Sequence, residues 1–466
     1  MARLLKDMKW LMSQKIYVIA LAITAVCGYG FEIVTPIIGI DDTAMELYFE
    51  EGLAVAMGRW TIFLLNKIFH VAEFAPFMLE LIGVVFLCVA ATIFALLFYR
   101  ILGEKAGVLA CAVFSCIFVS NPILSDTFVY YIHNGVGLGY ILTALALVLY
   151  VDVMEETDRK CILYYVYSML LAWIAVGCYE SFLILYIMGM ITLLFLKGLS
   201  GKDKLTFGYV LKYLSLGALL TIGVVVLRTV IIEILSNGLG LKELLDSLPG
   251  VNRRSLLEIM NVIKYEGGFG ELLKMLVKRY WVVYSVNAIV YLPIWSYMFA
   301  TFVLGIYAVV AAFRRKASMF PVLFVGMVFT PFLLTLFEGR VHYYRSCQYM
   351  PFITATGVFL LYYALAKCDK FRMLRYAAAG FAVILTFNQA SRLNENFYVD
   401  YLKYEHLRKL YQRWLGRLSV AMEVIPRWSL QEITAHRNPF GSIMPLAMVL
   451  RNFSILQGLP IWWMSI

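Results

Sequence analysis

Eleven apolar runs, most of them close to 20 residues long, recur along this chain and restrict its fold more than any other feature. They fall near 16–38, 76–98, 106–121, 136–152, 161–177, 182–196, 209–231, 288–312, 319–337, 350–366 and 374–388. A helix of about 20 residues spans the roughly 30 Å hydrocarbon core of a bilayer. Within that core only helices and closed barrels satisfy every backbone polar group, and runs of this length specify helices. Composition agrees, because 62% of the residues are hydrophobic and 15% charged, against about 45–50% and 25% in soluble domains. The expected fold class is an all-α polytopic membrane protein with about eleven transmembrane helices.

The net charge of +10 would suggest a nucleic-acid partner in a soluble chain. Here the cations sit in short loops, where they orient the spans, and no nucleic acid is expected. Lys6, Lys9 and Lys15, Arg100 and Lys105, Arg159 and Lys160, Lys197, Lys202 and Lys204, Arg314 to Lys316, and Lys367 to Arg375 share one side. The alternate loops 122–135 and 178–181 hold none. The amino terminus is therefore expected in the cytoplasm, behind a first run that reads as a signal anchor. With an odd number of spans the carboxyl terminus is outside. Residues 1–388 read as the membrane domain, with outer loops at 40–75, 122–135, 178–181, 232–287 and 338–349. Residues 389–466 read as a small extracytoplasmic region with a helical pattern over Glu395–Val424. Loop 40–75 mixes apolar residues with Glu46, Glu50, Glu51 and Arg59, which suits a helix lying in the membrane interface. Amphipathic stretches at 239–248 and 256–277 suggest the same. The eight cysteines lie mostly in apolar runs without CxxC spacing; Cys178 and Cys347 both fall on the outer side, a candidate disulfide.

The residues able to carry chemistry cluster in the outer loops. Asp41 and Asp42 stand together at the mouth of the first span. A carboxylate at the edge of a low-dielectric slot can act as general base toward a hydroxyl, and a pair can divide that work or hold a divalent cation such as Mg²⁺. Asp is equally a common helix cap. In Gly58-Arg59-Trp60, Arg59 could pair with Asp41 or Asp42 or hold a phosphate, and Trp60 could stack on a sugar. A snorkelling arginine beside an interfacial tryptophan explains the same residues. Glu180, in Tyr179-Glu180-Ser181, is an acid between two spans that needs a partner. The loop from Glu338 to Arg345 concentrates Arg340, His342, Tyr343 and Arg345. Arginine grips phosphate oxygens bidentately, although an interfacial belt of Arg and Tyr would look alike. Asp126, Tyr130, Tyr131, His133 and Asn134 make a smaller polar turn, and Arg253-Arg254 could meet lipid headgroups.

The order of these features resembles the type II Gtr glucosyltransferases of bacterial surface glycans and, more broadly, the GT-C class. The features are a first span, Asp41-Asp42, the Gly58-Arg59-Trp60 helix, the Tyr179-Glu180-Ser181 turn and a late Arg/Tyr loop. The resemblance implies a GT-C-like fold in the bacterial cytoplasmic membrane. It implies an undecaprenyl-phosphate sugar donor, with glucose as the sugar, and inverting transfer on the outer face to O-antigen, teichoic acid or a similar glycan. By the same resemblance Asp41 or Asp42 is the base, and Arg340 and Arg345 meet the donor phosphate. A donor-synthesising glycosyltransferase and a small flippase are the implied partners. A lipid-linked glycan flippase or a glycan polymerase is the alternative. A transporter should carry mid-span charges and repeat symmetry, whereas the charges here are expected to cluster in outer loops.

Overall fold

The structure is a computed structural model. It describes residues 2–35, 37, 42, 48–50, 52–74, 77–103, 107–130, 135–155, 160–201, 205–241, 268–284, 295–315, 317–338, 344–366 and 372–424. Among them every regular element is a helix. In chain order these are α1 (Ala2–Met12), α2 (Lys15–Val34), α3 (Leu53–Ala56), α4 (Trp60–Phe69), α5 (Phe77–Leu102), α6 (Gly107–Val119), α7 (Ser125–Phe128), α8 (Val136–Glu155) and α9 (Lys160–Cys178). They continue with α10 (Phe182–Ser200), α11 (Phe207–Gly238), α12 (Gly268–Tyr284), α13 (Trp295–Arg315), α14 (Met319–Phe329), α15 (Leu333–Glu338), α16 (Tyr349–Ala366) and α17 (Arg372–Val424). Met1–Tyr404 forms one compact unit and Glu405–Ile466 a second.

Ten helical stretches among the described residues are long and apolar enough to cross a membrane, matching ten of the eleven runs. The protein is a multi-pass, all-α membrane protein. The eleventh run, 374–388, opens the 53-residue α17. The run is followed at once by polar positions of the same helix. Gln389 accepts from Ser120 and donates to Ser296, both at 3.0 Å, and Asn396 donates to Ser125 at 2.9 Å. These bonds, with Leu393 against Gly28, hold that part of α17 to α2 and the α6–α7 turn.

Three expectations need correction. Loop 40–75 does not hold one interfacial helix. Gly52 and Gly58, at φ +83° and +82°, occupy a region that side chains resist, and they break it into α3 and α4. Leu53–Ala56 and Trp60–Phe63 are buried in the protein. The stretch 232–238, expected as outer loop, continues α11, since nothing stops that helix before Gly238 and Gly240. Cys178 and Cys347 are both buried and are not joined to each other, so the candidate disulfide is not formed.

Burial separates inner from outer helices. The apolar window of α10 is 83% buried, that of α11 only 17%, which assigns α10 to the interior and much of α11 to the lipid side. Rings from α5, α6 and α16 interlock at the centre, with Phe98 4.9 Å from Phe114 and Phe94 5.1 Å from Phe352. Lipid tails are as apolar as these rings, so close fit rather than escape from water selects the packing. Gly357 on α16 shows how close that fit is, because a Cβ there would stand 2.6 Å from Cα of Ala300 on α13.

The two ends of this bundle differ chemically. Where α5, α8 and α10 finish, Arg100 pairs with Asp152 at 2.5 Å and with Glu155, and Lys197 reaches Glu155 at 3.2 Å. Arg315 ties α13 to the same end by donating to the carbonyls of Gly198 and Leu199 at 2.8 and 2.6 Å. The opposite end, where those three helices begin, holds the candidate site.

Candidate functional site

Gly58 turns the chain sharply between α3 and α4. Arg59 follows as the N-cap position of α4, its backbone N–H bonded to the Ala54 carbonyl at 2.7 Å. This fold-back drives the Arg59 side chain inward, where it is 2% exposed. Nη1 donates to the Tyr48 hydroxyl at 3.1 Å, and Nε lies 3.6 Å from a Glu180 carboxylate oxygen. The guanidinium carbon sits 4.3 Å from the centre of the Tyr179 ring. Burial opposes the charge, but Tyr48, Tyr179 and Glu180 outweigh it and lift the Arg59 pKa above the ordinary arginine value. Arg59 is thus a fixed cation, and among the described residues its ionic partner is Glu180. Sequence reasoning asked for a partner for each of these residues and paired neither with the other.

The neighbouring residues lock the same segment. Trp60 is 4% exposed and packs on Trp173 of α9 with ring centroids 4.5 Å apart. Thr61 donates to the Ile174 carbonyl at 2.9 Å. Gly177 presents a bare face there; a Cβ would come within 2.2 Å of the Thr61 hydroxyl oxygen. From the other side, buried Arg228 of α11 lays its guanidinium over Gly58, where a Cβ would stand 2.1 Å from Nη2.

Beside this module lies a narrow cleft lined by Glu80, Gly83, Thr127, Phe128, Tyr130 and Gly137, among others. It forms where α5 and α8 nearly touch, since a Cβ on Gly137 would be 2.7 Å from the Gly83 carbonyl oxygen. Glu80 is on its wall. Its charge acts on that of Glu32, at the end of α2, together with Asp42 and Asp400. Glu32, Asp42 and Glu80 are 3%, 5% and 6% exposed, so each of these carboxyl groups lies in a water-poor setting. Arg345 borders the cleft, half-buried, with its guanidinium carbon 5.5 Å from the centre of the Tyr130 ring.

Of the residues singled out from sequence, Asp42, Arg59, Trp60, Glu180 and Arg345 are described, as are Asp126 and Tyr130 of the smaller turn. Asp41, Arg340, His342 and Tyr343 lie outside the described residues, as do Tyr131, His133, Asn134, Arg253 and Arg254. Among the described residues no three His, Cys, Asp or Glu side chains converge as a metal-binding set. Sequence reasoning missed Glu32, Glu80 and Arg228. Each is an ionisable residue within an apolar run, a feature that by itself marks function, and the expectation that charges confine themselves to outer loops is corrected by them. Tyr48 and Gln348, described below, carried no comparable signal.

Neither a curated protein nor a solved structure matches the chain. A family model does. Residues 30–362, which carry Glu32, Asp42, Arg59, Glu80, Glu180, Arg228 and Arg345, match the family described as glucosyl transferase GtrII, and the chain, a membrane glucosyltransferase, belongs to that family.

Proposed function

We propose that this glucosyltransferase moves glucose from an undecaprenyl-phosphate carrier to a hydroxyl of a cell-surface glycan, O-antigen, teichoic acid or a similar polymer, on the outer face of the bacterial cytoplasmic membrane. One observation supports the reading best. Buried carboxyl groups, Asp42 and Glu80 among them, share one end of the bundle with Arg345, while the other end is closed by structural ion pairs. Transfer of this kind needs an acid-base group and a phosphate grip side by side. The positive-inside rule supports a cytoplasmic ion-paired end, given its basic loops, and an outer acidic end.

In the proposed reaction Asp41 or Asp42 takes the proton from the acceptor hydroxyl as its oxygen bonds to the anomeric carbon. The bond from that carbon to the phosphate oxygen breaks, and its electron pair leaves on undecaprenyl phosphate. The attack comes from the face opposite the leaving group, so the anomeric centre inverts. Arg345, with Arg340 from the same loop, meets the charge that develops on the phosphate. One preorganised donor of this kind is worth about 2.7–4 kcal/mol in a transition state. If the reaction uses a divalent cation such as Mg²⁺, Asp41 and Asp42 would hold it by oxygen ligands, and it would supply further charge neutralisation at the phosphate. The reaction requires an enzyme that loads the carrier lipid and a small flippase that presents it.

The test uses membranes containing the full chain, polyprenyl-phosphate glucose and candidate acceptor glycans. Asp41→Asn and Asp42→Asn are each made and checked for expression and folding. Transfer should be lost in at least one of them, by a factor of about 10²–10⁴ as expected for a general base. Full transfer in both variants would end the base assignment. A donor limited to diphosphate-linked oligosaccharide would instead mark a polymerase.

A further inference from the structure

Gln348 precedes α16, directly after the arginine loop, and is 2% exposed. Its amide is saturated by three elements. Nε2 donates to the Arg345 backbone carbonyl at 2.8 Å and lies 3.3 Å from the Thr127 hydroxyl. Oε1 accepts from the Tyr140 hydroxyl of α8 at 2.7 Å, and that hydroxyl is also 3.0 Å from the Gln348 carbonyl. Both amide protons and the amide oxygen are thus engaged. The orientation is forced, because a flipped amide would set Oε1 against the Arg345 carbonyl, two acceptors face to face. Tyr140 and Thr127 are 0% and 1% exposed, so the amide joins a rigid frame to the loop. Thr127 lines the cleft, and the Arg345 side chain reaches across to Tyr130 on its wall.

We infer that Gln348 is a positioning residue that fixes the Arg345 guanidinium at the cleft for the donor phosphate. The inference rests on the proposed role of Arg345. Glutamine suits the task where its neighbours in size do not. Glutamate offers no proton to the Arg345 carbonyl, asparagine is one methylene too short to span loop and α8, and methionine fills the space without either bond.

The experiment is a double-mutant cycle on transfer from polyprenyl-phosphate glucose, with donor KM and kcat measured separately in membranes containing the full chain. Arg345→Ala should raise donor KM and lower kcat. Gln348→Met should raise donor KM by about five- to tenfold, the range of one or two lost hydrogen bonds, and Tyr140→Phe by less. In the Arg345→Ala background, adding Gln348→Met should change transfer less than twofold, because the group it positions is gone. If the two effects multiply, Gln348 is merely structural and the inference fails. If Gln348→Met and Tyr140→Phe both leave donor KM unchanged, it fails as well. If Arg345→Ala itself is silent, the phosphate role of Arg345 falls first and takes the inference with it. Tyr140→Phe, which removes one oxygen from a buried ring, keeps the test decisive should Gln348→Met not fold.

Discussion

The Arg59–Glu180 pair gives the sharpest quantitative test of how this site is built. Both side chains are buried, 3% and 2% exposed, and 3.6 Å apart. Deleting one member of such a pair leaves an uncompensated charge and costs about 3–5 kcal/mol. Glu180→Gln should fall at the lower end, near 3 kcal/mol, because the Tyr48 hydroxyl and the Tyr179 ring still face the Arg59 cation. That is on the order of a hundredfold in the folded-to-unfolded ratio. Arg59→Met removes the cation, keeps most of the volume, and should cost a similar amount. Combining the two replaces the ion pair with neutral groups of about the same size, a change that is often neutral for buried pairs. The double variant should therefore be at least about 2 kcal/mol more stable than the sum of the singles predicts. The measurement is equilibrium unfolding in mixed detergent, followed by tryptophan fluorescence. Additive costs, or singles that cost less than about 1 kcal/mol, would show that the pair is not an energetic unit and refute the reasoning.

Two further outcomes follow from the same geometry. Gly58→Ala must hold a side chain at φ +82° against the Arg228 guanidinium. It should cost at least roughly 1–3 kcal/mol from the backbone alone, and Arg228→Met should relieve only the contact, as unfolding of the single and double variants will show. Glu80→Gln, at the cleft wall, should lower transfer at least tenfold under the proposed function, which needs an acid-base group at this cleft; unchanged transfer would remove Glu80 from the site.

The fold was legible because its signal is long and redundant. Each apolar run specifies a helix without reference to any other, and ten of the eleven reappear as spans. The run at 374–388 opens the longer α17 instead of forming a helix of its own, and Gln389 just past it bonds Ser120 and Ser296. Pairings were harder to read. Arg59 and Glu180 were each recognised as needing a partner, but they lie 121 residues apart and meet only once Gly58 has folded α4 back onto α9. Glu32, Glu80 and Arg228 had a readable signal that the surrounding hydrophobicity drowned. Such charges were the mark set for a transporter, yet Arg228 packs on the Gly58 turn and Glu80 lines the cleft, and the family match favours the transferase. Gln348 had no signal at all, since an amide declares its role only through the atoms it meets.

Two arginines of the same chemistry take different parts here, and burial decides which. For Arg59 to meet a donor phosphate it would have to leave Glu180, Tyr48 and Tyr179, at a cost near the 3–5 kcal/mol of breaking a buried pair. A phosphate contact returns about 2.7–4 kcal/mol at best, so the exchange gains little or nothing. Arg345 is half-buried, with its guanidinium over the Tyr130 ring, so less burial opposes its turning toward a phosphate. Binding strength and rigidity therefore separate along the chain. Under the proposed function the first arginine stiffens the turn at Gly58, and the second supplies the charge for the phosphate. A conservative swap should expose the difference. Arg345→Lys keeps the charge but loses the planar fork and should retain partial transfer. Arg59→Lys cannot reproduce contacts to a hydroxyl, a carboxylate and a ring from one ammonium, and should lower stability and transfer together. Equal behaviour of the two lysine variants would contradict this division.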